Sequence, residues 1–358
     1  MNKIELKEVL KKANRGVKDG IHVGASLVLV QVKAGTLTIS AKNPIWSIRA
    51  WADIAAGEKE LSCVVNSNVF SQIVDRMPGD TIFLSTSKAK KTLVIQSEKL
   101  KVAIPYFQDY TWPEAEPIKT LHSFEIEEQL LNCSHALAKK DAMNGLFSSY
   151  HIEALEEGCR VTALDGKRIS LCTNGKGKLQ YDIVLAGEFL KEALNLSEGK
   201  ISLETDGQSV LITGKGIELY AKTRRESFPN ISNILSARKS VTSITVNRQE
   251  FLDAVLVSTL LDDIIILDIS ERGTMLSNKP SVKGNSAIEL NAVITGPNIR
   301  IGLNGAFLKD SLRAMKEEKV TLHFNHAKAP IYLEEEHQTE LILPVILETG
   351  CSSRERSL

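Results

Sequence analysis

The chain has 358 residues, enough for two or three domains at about 150 residues each. Apolar residues make up 43% and charged residues 25%, with 44 basic against 44 acidic side chains. That is the make-up of a soluble globular protein, and it excludes a disordered, collagen-like or membrane-spanning chain as well as a strong nonspecific grip on nucleic acid through overall charge.

In chain order, the first predicted element is a strand–helix unit over Ile4 to Ala13. The alternating segments Leu27–Val32 and Thr36–Ile39 follow, with the period of two that marks strands. A short strand at Val64–Val65, a polar cap and an amphipathic helix containing Phe70 come next, and Met77–Asp80 turns into the strand Thr81–Leu84. Trp112–Pro117 fits a linker.

The pattern then recurs. A strand–helix unit spans Phe124 to Ala138, a strand and helix contain Ile183–Leu194 with Phe189, and Ser197–Lys200 turns into Ile201–Leu203. After a second linker at Ile231–Ser236 it recurs once more, with a unit from Ile244 to Leu261, a strand and helix at Ile301–Leu312 with Phe307, and a turn at Lys316–Lys319. The three phenylalanines are 119 and 118 residues apart. The chain is therefore read as an internal repeat of about 120 residues. The fold class is α+β: three tandem domains, 1–120, 121–240 and 241–347, each with two helices packed on antiparallel sheets, and a tail at 348–358. A tandem array leaves sheet edges bare at its two ends, and closure into a ring would remove them.

Charge is uneven along the repeat. The first third carries 17 basic and 12 acidic residues, the middle third 15 and 16, and the last third 12 and 16. The N-terminal MNKIELKEVLKK has no apolar stretch of a secretory signal. The run Ile264–Leu267 between aspartates is too short to cross a bilayer. Five cysteines without a CxxC pair give no disulfide framework and no zinc site. Cys63, Cys133 and Cys159 are read as small core residues, and the expected compartment is the cytoplasm.

Catalytic patterns are missing. His323 and His326 form an HxxH in a strand-to-hairpin context without an acidic or Cys ligand beside them. Asp262–Asp263 reads as a helix-end turn. Gly175 and Gly177 belong to a hairpin turn rather than a phosphate loop, which needs G-x-x-x-x-G-K-[ST]. No nucleophile–base spacing stands out, and no clustered carboxylates suggest a nuclease. No cofactor, metal or catalytic residue is assigned, and the chain is not expected to be an enzyme.

Four segments carry a resemblance. Val161–Thr162–Ala163–Leu164–Asp165–Gly166–Lys167–Arg168–Ile169 resembles a "V-A-T-D-G-H-R-L" turn, with Leu164 in place of its threonine and Lys167 in place of its histidine. Phe228–Pro229–Asn230–Ile231 is similar to "F-P-D-Y", Tyr110–Glu114 to a Pro-Glu linker, and Leu341–Leu347 to a terminal "V-M-P-M-R-L". In this order on a threefold repeat, they resemble the bacterial DNA polymerase III β subunit, the sliding clamp, over residues 1–347. The neutral charge and the tail 348–358 mark a divergent member.

The resemblance implies a head-to-tail homodimer whose six domains ring double-stranded DNA, with helices lining the hole. It implies a processivity function without chemistry: the ring tethers a DNA polymerase and is opened by a clamp loader. DNA contact in such a ring is sequence-independent. Its expected carriers are Lys7, Lys11, Lys12, Arg15, Lys18, Lys139, Lys140, Lys191, Lys309, Arg313 and Lys316. The implied partner-peptide pocket consists of Phe147, Leu164, Gly166, Lys167, Arg168, Ile169, Pro229, Asn233, Ile234, Leu341, Leu343, Pro344, Val345 and Ile346, with Asn233 at a family arginine position. The implied dimer interface joins edge strands through Val102 and Ile104 of the first domain and Leu260 and Leu261 of the last. The alternative reading is a clamp-like protein-binding scaffold that does not encircle DNA.

Overall fold

Asparagine side chains start most of the described α-helices, three of them at the ends of strands. In the computed structural model, which describes residues 1–18, 26–54, 59–113, 122–139, 145–174, 179–196 and 200–347, Asn2 caps α1 (Lys3–Ala13), Asn66 caps α2 (Ser67–Arg76) and Asn230 caps α4 (Ile231–Ser236). Asn247 caps α5 (Arg248–Thr259) and Asn304 caps α6 (Gly305–Ala314). Each cap side chain accepts a backbone N–H from the first turn, which would otherwise lack a partner, and such a cap contributes about 1 kcal/mol. The remaining α-helix is α3 (Gly187–Leu196).

The strands before the middle of the chain are β1 (Leu27–Lys33), β2 (Thr36–Lys42), β3 (Trp46–Asp53), β4 (Leu61–Asn66), β5 (Phe83–Ser87), β6 (Thr92–Ser97), β7 (Leu100–Pro105) and β8 (His122–Glu127). Then come β9 (Ser149–Ala154), β10 (Cys159–Leu164), β11 (Arg168–Asn174), β12 (Ile183–Ala186), β13 (Lys200–Thr205), β14 (Ser209–Gly214) and β15 (Ile217–Lys222). The last third holds β16 (Thr242–Asn247), β17 (Ile264–Ser270), β18 (Gly273–Asn278), β19 (Ala287–Leu290), β20 (Ala292–Thr295), β21 (Ile299–Asn304), β22 (Lys319–Phe324), β23 (Ile331–Glu334) and β24 (Gln338–Ile342).

These elements form two compact units. The first comprises Met1–Glu128 with Gly177–Arg225, the second Gln129–Lys176 with Glu226–Leu358, so each takes part of the middle third. In the first unit an eight-stranded antiparallel sheet runs β4-β1-β2-β3-β15-β14-β13-β8, beside a three-stranded sheet β5-β6-β7. Helix α1 buries Leu6, Val9, Leu10 and Ala13, and packs on β2 and β3. In the second unit one sheet follows the order β9-β10-β11-β24-β23-β22-β16-β20, beside a four-stranded sheet β19-β18-β17-β21. Phe251, Val255, Leu308 and Leu312 of α5 and α6 fill the core there with Leu267, Leu303 and Leu322.

The predicted strand–helix units match β4–α2, β12–α3, β16–α5 and β21–α6, and Phe70 and Phe189 are fully buried. Three expectations differ. Ile4–Ala13, expected as a strand–helix unit, is helical throughout as part of α1. Ile231–Ser236, expected as a linker, is the helical turn α4, because Asn230 Oδ1 accepts the Asn233 N–H at 2.9 Å and starts it. The helix expected after Phe124 is a 3-10 helix over Glu128–Ala136. Within it Cys133 Sγ and His135 Nδ1 both lie against carbonyls three residues back, Leu130 and Asn132, so side chains compete for the backbone acceptors. Cys63, Cys133 and Cys159 are buried as expected, and so is Cys172. Burial pushes the Cys63 and Cys159 thiols up to about 12, so they are core atoms rather than nucleophiles.

Candidate functional site

The turn from β10 to β11 is built by Asp165. Its Oδ1 accepts the backbone N–H of Lys167 at 2.9 Å and of Arg168 at 3.1 Å. Gly166 has φ +87°, a conformation that side chains disfavour, and a Cβ there would lie 3.5 Å from the Phe147 ring. The chain end is stitched to this turn: the Leu343 N–H donates to the Lys167 carbonyl at 2.9 Å, and the Val345 N–H to the Gly302 carbonyl at 2.8 Å.

Side chains alternate across the β11–β24 pair, where Ile169 faces Leu341 and Ser170 faces Glu340. One face carries an apolar cluster. Leu164, Leu171 and Ile231 are buried beneath half-buried Phe147, Ile169, Phe228 and Leu235. Leu341 is buried, Pro229, Pro344 and Val345 are half-buried, and Lys167 and Asn233 are exposed. Three aliphatic side chains of α4 and the segment after β24 are exposed: Ile234 by 37%, Leu343 by 46% and Ile346 by 73%. Exposed aliphatics over a buried apolar floor offer anchor points to an apolar partner side chain. The segment from Phe228 to Ser232 is held by Arg160, which pairs with Glu153 and donates to Ser232 Oγ at 2.7 Å, and by Phe228 stacked on His151 at 4.7 Å.

Arg168 belongs to the opposite face. Its guanidinium lies 4.4 Å over the Phe307 ring, bonds Asp165 at 3.0 Å and Asp310 at 2.9 Å, and donates to the His135 carbonyl. Placed there, it braces the turn against α6 and the 3-10 helix. The same face holds Glu340, which is fully buried and accepts from Gln338 at 2.7 Å, Ser311 at 2.9 Å and Ser170 Oγ. His135 completes the set at 2.9 Å. Burial alone would lower the His135 pKa, but the hydrogen bond and charge of Glu340 outweigh it and hold the imidazole above its ordinary value.

The sequence reading missed Leu171, Phe228, Ile231 and Leu235 in the apolar cluster. Leu171 carried a signal, two residues after Ile169 on an alternating strand. Phe228 directly precedes Pro229.

The basic residues of α1 lie on one stripe, Lys7, Lys11 and Arg15 being four residues apart. A cavity of about 630 Å³ between α1 and α2 is lined by these three with Asn14, Ser71 and Asp75. Several of the charges are answered within the first unit. Lys7 pairs with Asp75 at 2.8 Å, Arg15 with Glu192 at 3.7 Å and Lys18 with Glu188 at 2.5 Å. Lys12 donates to the Lys215 carbonyl at 3.1 Å. Lys11 is exposed and has no ion pair among the described residues. Lys191 on α3 and Lys139 are exposed, and Lys140 lies outside the described residues. In the second unit Lys309 is half-buried on α6, and Arg313 and Lys316 are exposed.

Of the interface candidates, Val102 and Ile104 lie on β7, the edge of its sheet, with Val102 half-buried and Ile104 only 5% exposed. Leu260 and Leu261 follow α5 at its C-terminal turn rather than on a strand, and Leu260 is 73% exposed. His323 stacks on Tyr332 at 5.1 Å, and burial lowers its pKa. Asp262 Oδ1 accepts the Ile264 N–H at 2.8 Å, the helix-end turn expected. Gly175 and Gly177 lie outside the described residues, as does the tail 348–358. No helix among the described residues is long and apolar enough to cross a membrane.

Residues 236–349 match the family model of the DNA polymerase III beta subunit, C-terminal domain. The chain is 23% identical over 367 residues to the beta sliding clamp of Bacillus subtilis, covering 95% of each. It is 20% identical over 335 residues to that of Helicobacter pylori, covering 89% of this chain and 88% of the relative. Among solved structures, the beta sliding clamp of C. crescentus superposes with a TM-score of 0.88 at 17% identity, covering 97% of this chain and 98% of that one. The DNA polymerase sliding clamp of Bacillus subtilis superposes with a TM-score of 0.87 at 18% identity and the same coverage. At such identities the superpositions establish the fold.

Proposed function

The chain belongs to the bacterial DNA polymerase III β-subunit family as a divergent member, and from that premise we propose that it is a sliding clamp. It encircles double-stranded DNA as a head-to-tail homodimer, tethers a DNA polymerase, and docks the clamp loader. It catalyses nothing itself. Its three repeat domains, 1–120, 121–240 and 241–347, supply the half-ring, and it works in the cytoplasm.

The observation that carries this reading is the apolar site around Leu164, Leu171 and Ile231, with exposed Ile234 on α4 and exposed Leu343 and Ile346 on the segment that follows β24. An extended peptide with leucine or phenylalanine anchors fits that surface. The basic stripe of α1 suits phosphate contact without base reading. The pairing of Lys7, Arg15 and Lys18 with carboxylates favours the alternative, a scaffold that does not encircle DNA, because paired cations give less to DNA.

One experiment separates the two. The protein is loaded on a nicked circular duplex, which is then cut once. A ring stays on the circle and runs off the linear product; a groove-bound scaffold is retained equally on both, and that outcome would refute the clamp.

A further inference from the structure

In the first unit a second cavity, of about 780 Å³, lies on the solvent face of the eight-stranded sheet. Residues 106–113 form a strap across it after β7. The Tyr106 N–H donates to the Lys91 carbonyl at 3.1 Å and the Phe107 N–H to the Val64 carbonyl at 2.9 Å, which fixes the strap's start. The volume falls within the roughly 300–1,000 Å³ of ligand sites.

Its place in the fold repeats that of the apolar site. The order β1-β2-β3-β15-β14 in the first unit parallels β9-β10-β11-β24-β23 in the second. Ser47 faces Tyr220 across β3–β15 as Ile169 faces Leu341 across β11–β24. The strap 106–113 corresponds to the segment with Phe228 and α4. The chemistry, however, has changed. Aliphatic walls are replaced by Tyr106, Tyr110, Trp112 and Tyr220, over a floor that includes Gln31, Ser40 and Ser47. The Tyr110 and Trp112 rings are 6.1 Å apart and tilted by 59°, so they are not stacked on each other.

Aromatic walls with hydroxyl, amide and indole donors suit an extended proline-rich chain. Such a chain has no internal hydrogen bonds, so its carbonyls need donors. Its flat rings pack on aromatic faces, and its preformed shape costs little entropy to bind. Charge sets one end. Glu218 and its partner Arg49 both line the cavity, and the two are only loosely paired: they are 3.6 Å apart, beyond hydrogen-bond length, and 59% of the Arg49 side chain is exposed. A cation brought by the ligand can take the Glu218 carboxylate, while Arg49 keeps its place 6.0 Å over Trp51.

We propose that this cavity is a second docking site, for a proline-rich partner segment that carries an arginine or lysine at the Glu218 end. It is separate in residues and in ligand chemistry from the apolar site.

The test uses the full chain and a fluorescein-labelled peptide with the core Pro-Pro-Leu-Pro-Pro-Arg, followed by anisotropy. Saturable micromolar binding is expected. Trp112→Ala should weaken it by about tenfold or more. Glu218→Gln, a surface change that leaves the fold intact, should weaken the arginine peptide by about tenfold and leave a peptide with alanine in place of arginine unaffected. Leu343→Asp should leave both affinities unchanged. The proposal is overturned by absence of saturation up to about 1 mM, by equal binding of a peptide with alanine for every proline, by no effect of Glu218→Gln, or by displacement with oligothymidylate, which would make the aromatic surface a nucleic-acid site.

Discussion

His135 Nε2 lies 2.9 Å from Glu340 Oε2, and its Nδ1 lies 3.0 Å from the Asn132 carbonyl. Both ring nitrogens therefore meet acceptors, and only the protonated imidazole can donate to both. The pair joins the 3-10 helix to β24, the strand that leads into the exposed Leu343. It lies on the face of the sheet opposite the apolar site.

The sign of its pH dependence follows. The folded chain holds the His135 proton more tightly than the unfolded chain, whose histidine titrates at about 6.5. The contribution to stability is thus complete below that value, and is lost as pH rises through the raised folded pKa. The Arg168 charge opposes the shift but does not cancel it. The thermal midpoint should fall from pH 6 toward pH 8, and His135→Gln should flatten that slope. A mutant as pH-sensitive as the wild type would rule the pair out as its source.

For the apolar site, Leu343→Asp with Ile346→Asp should sharply weaken binding of a leucine- or phenylalanine-anchored peptide. Leu343 is 46% and Ile346 73% exposed, so the thermal midpoint should change little. Placing carboxylates where anchors dock should cost more than about 2 kcal/mol, a loss of some thirtyfold. Val345→Asp is a poorer probe, because Val345 is half-buried and bridged to Gly302. Unchanged affinity in a titration with the double variant would move the site elsewhere.

Gly166→Ala tests the turn itself. The new Cβ meets only ordinary contact with Phe147, so the cost comes from the positive φ, about 1–2 kcal/mol. Denaturant unfolding should report that loss. Peptide affinity should fall as well, since the Lys167 carbonyl that anchors Leu343 sits on the same turn.

How much of this was legible varied with the physical source of each feature. The helices after strand-ending asparagines were readable, because cap and apolar period lie close together in sequence: Asn66 precedes Phe70, Asn304 precedes Phe307. The Glu340 network was not. In Gln338–Ile342 a glutamate looks like the solvent side of an alternating strand, and only the long-range partners His135, Ser170 and Ser311 make its burial tolerable. Arg168 matched its motif, yet the motif does not say which face its head takes. Phe307 and Asp310, 139 and 142 residues away in sequence, decide that.

Charge pairing ranks the lysines of α1. Lys11, exposed and without an ion pair among the described residues, should contribute more to DNA retention than Lys18, held by Glu188. Lys11→Glu should weaken retention on a nicked circle and lower the salt slope by about one. Lys18→Glu should do less, and Asp75→Asn, which frees Lys7, should strengthen retention. Equal effects of Lys11→Glu and Lys18→Glu, measured by salt titration, would contradict the ranking.

Ring closure gives the last prediction, and burial decides which variant tests it. Ile104 is 5% exposed inside its own unit, so Ile104→Asp would bury a carboxylate and unfold that region whether or not β7 meets another chain. Leu260 is 73% exposed on the turn after α5, so Leu260→Asp should leave the fold intact. If this turn faces the β7 edge of a second copy, the variant should become a monomer by light scattering, with an unchanged circular dichroism spectrum. The first third has an excess of basic residues and the last third an excess of acidic ones, so head-to-tail contact brings unlike charges together. Such charges mainly speed encounter and are screened over about 8 Å at physiological ionic strength, while apolar contact supplies most of the hold. High salt should therefore slow re-formation of the wild-type dimer without dissolving it. A Leu260→Asp protein that stays dimeric would place the interface away from α5, and a wild-type chain that is monomeric at micromolar concentration would remove the closed ring.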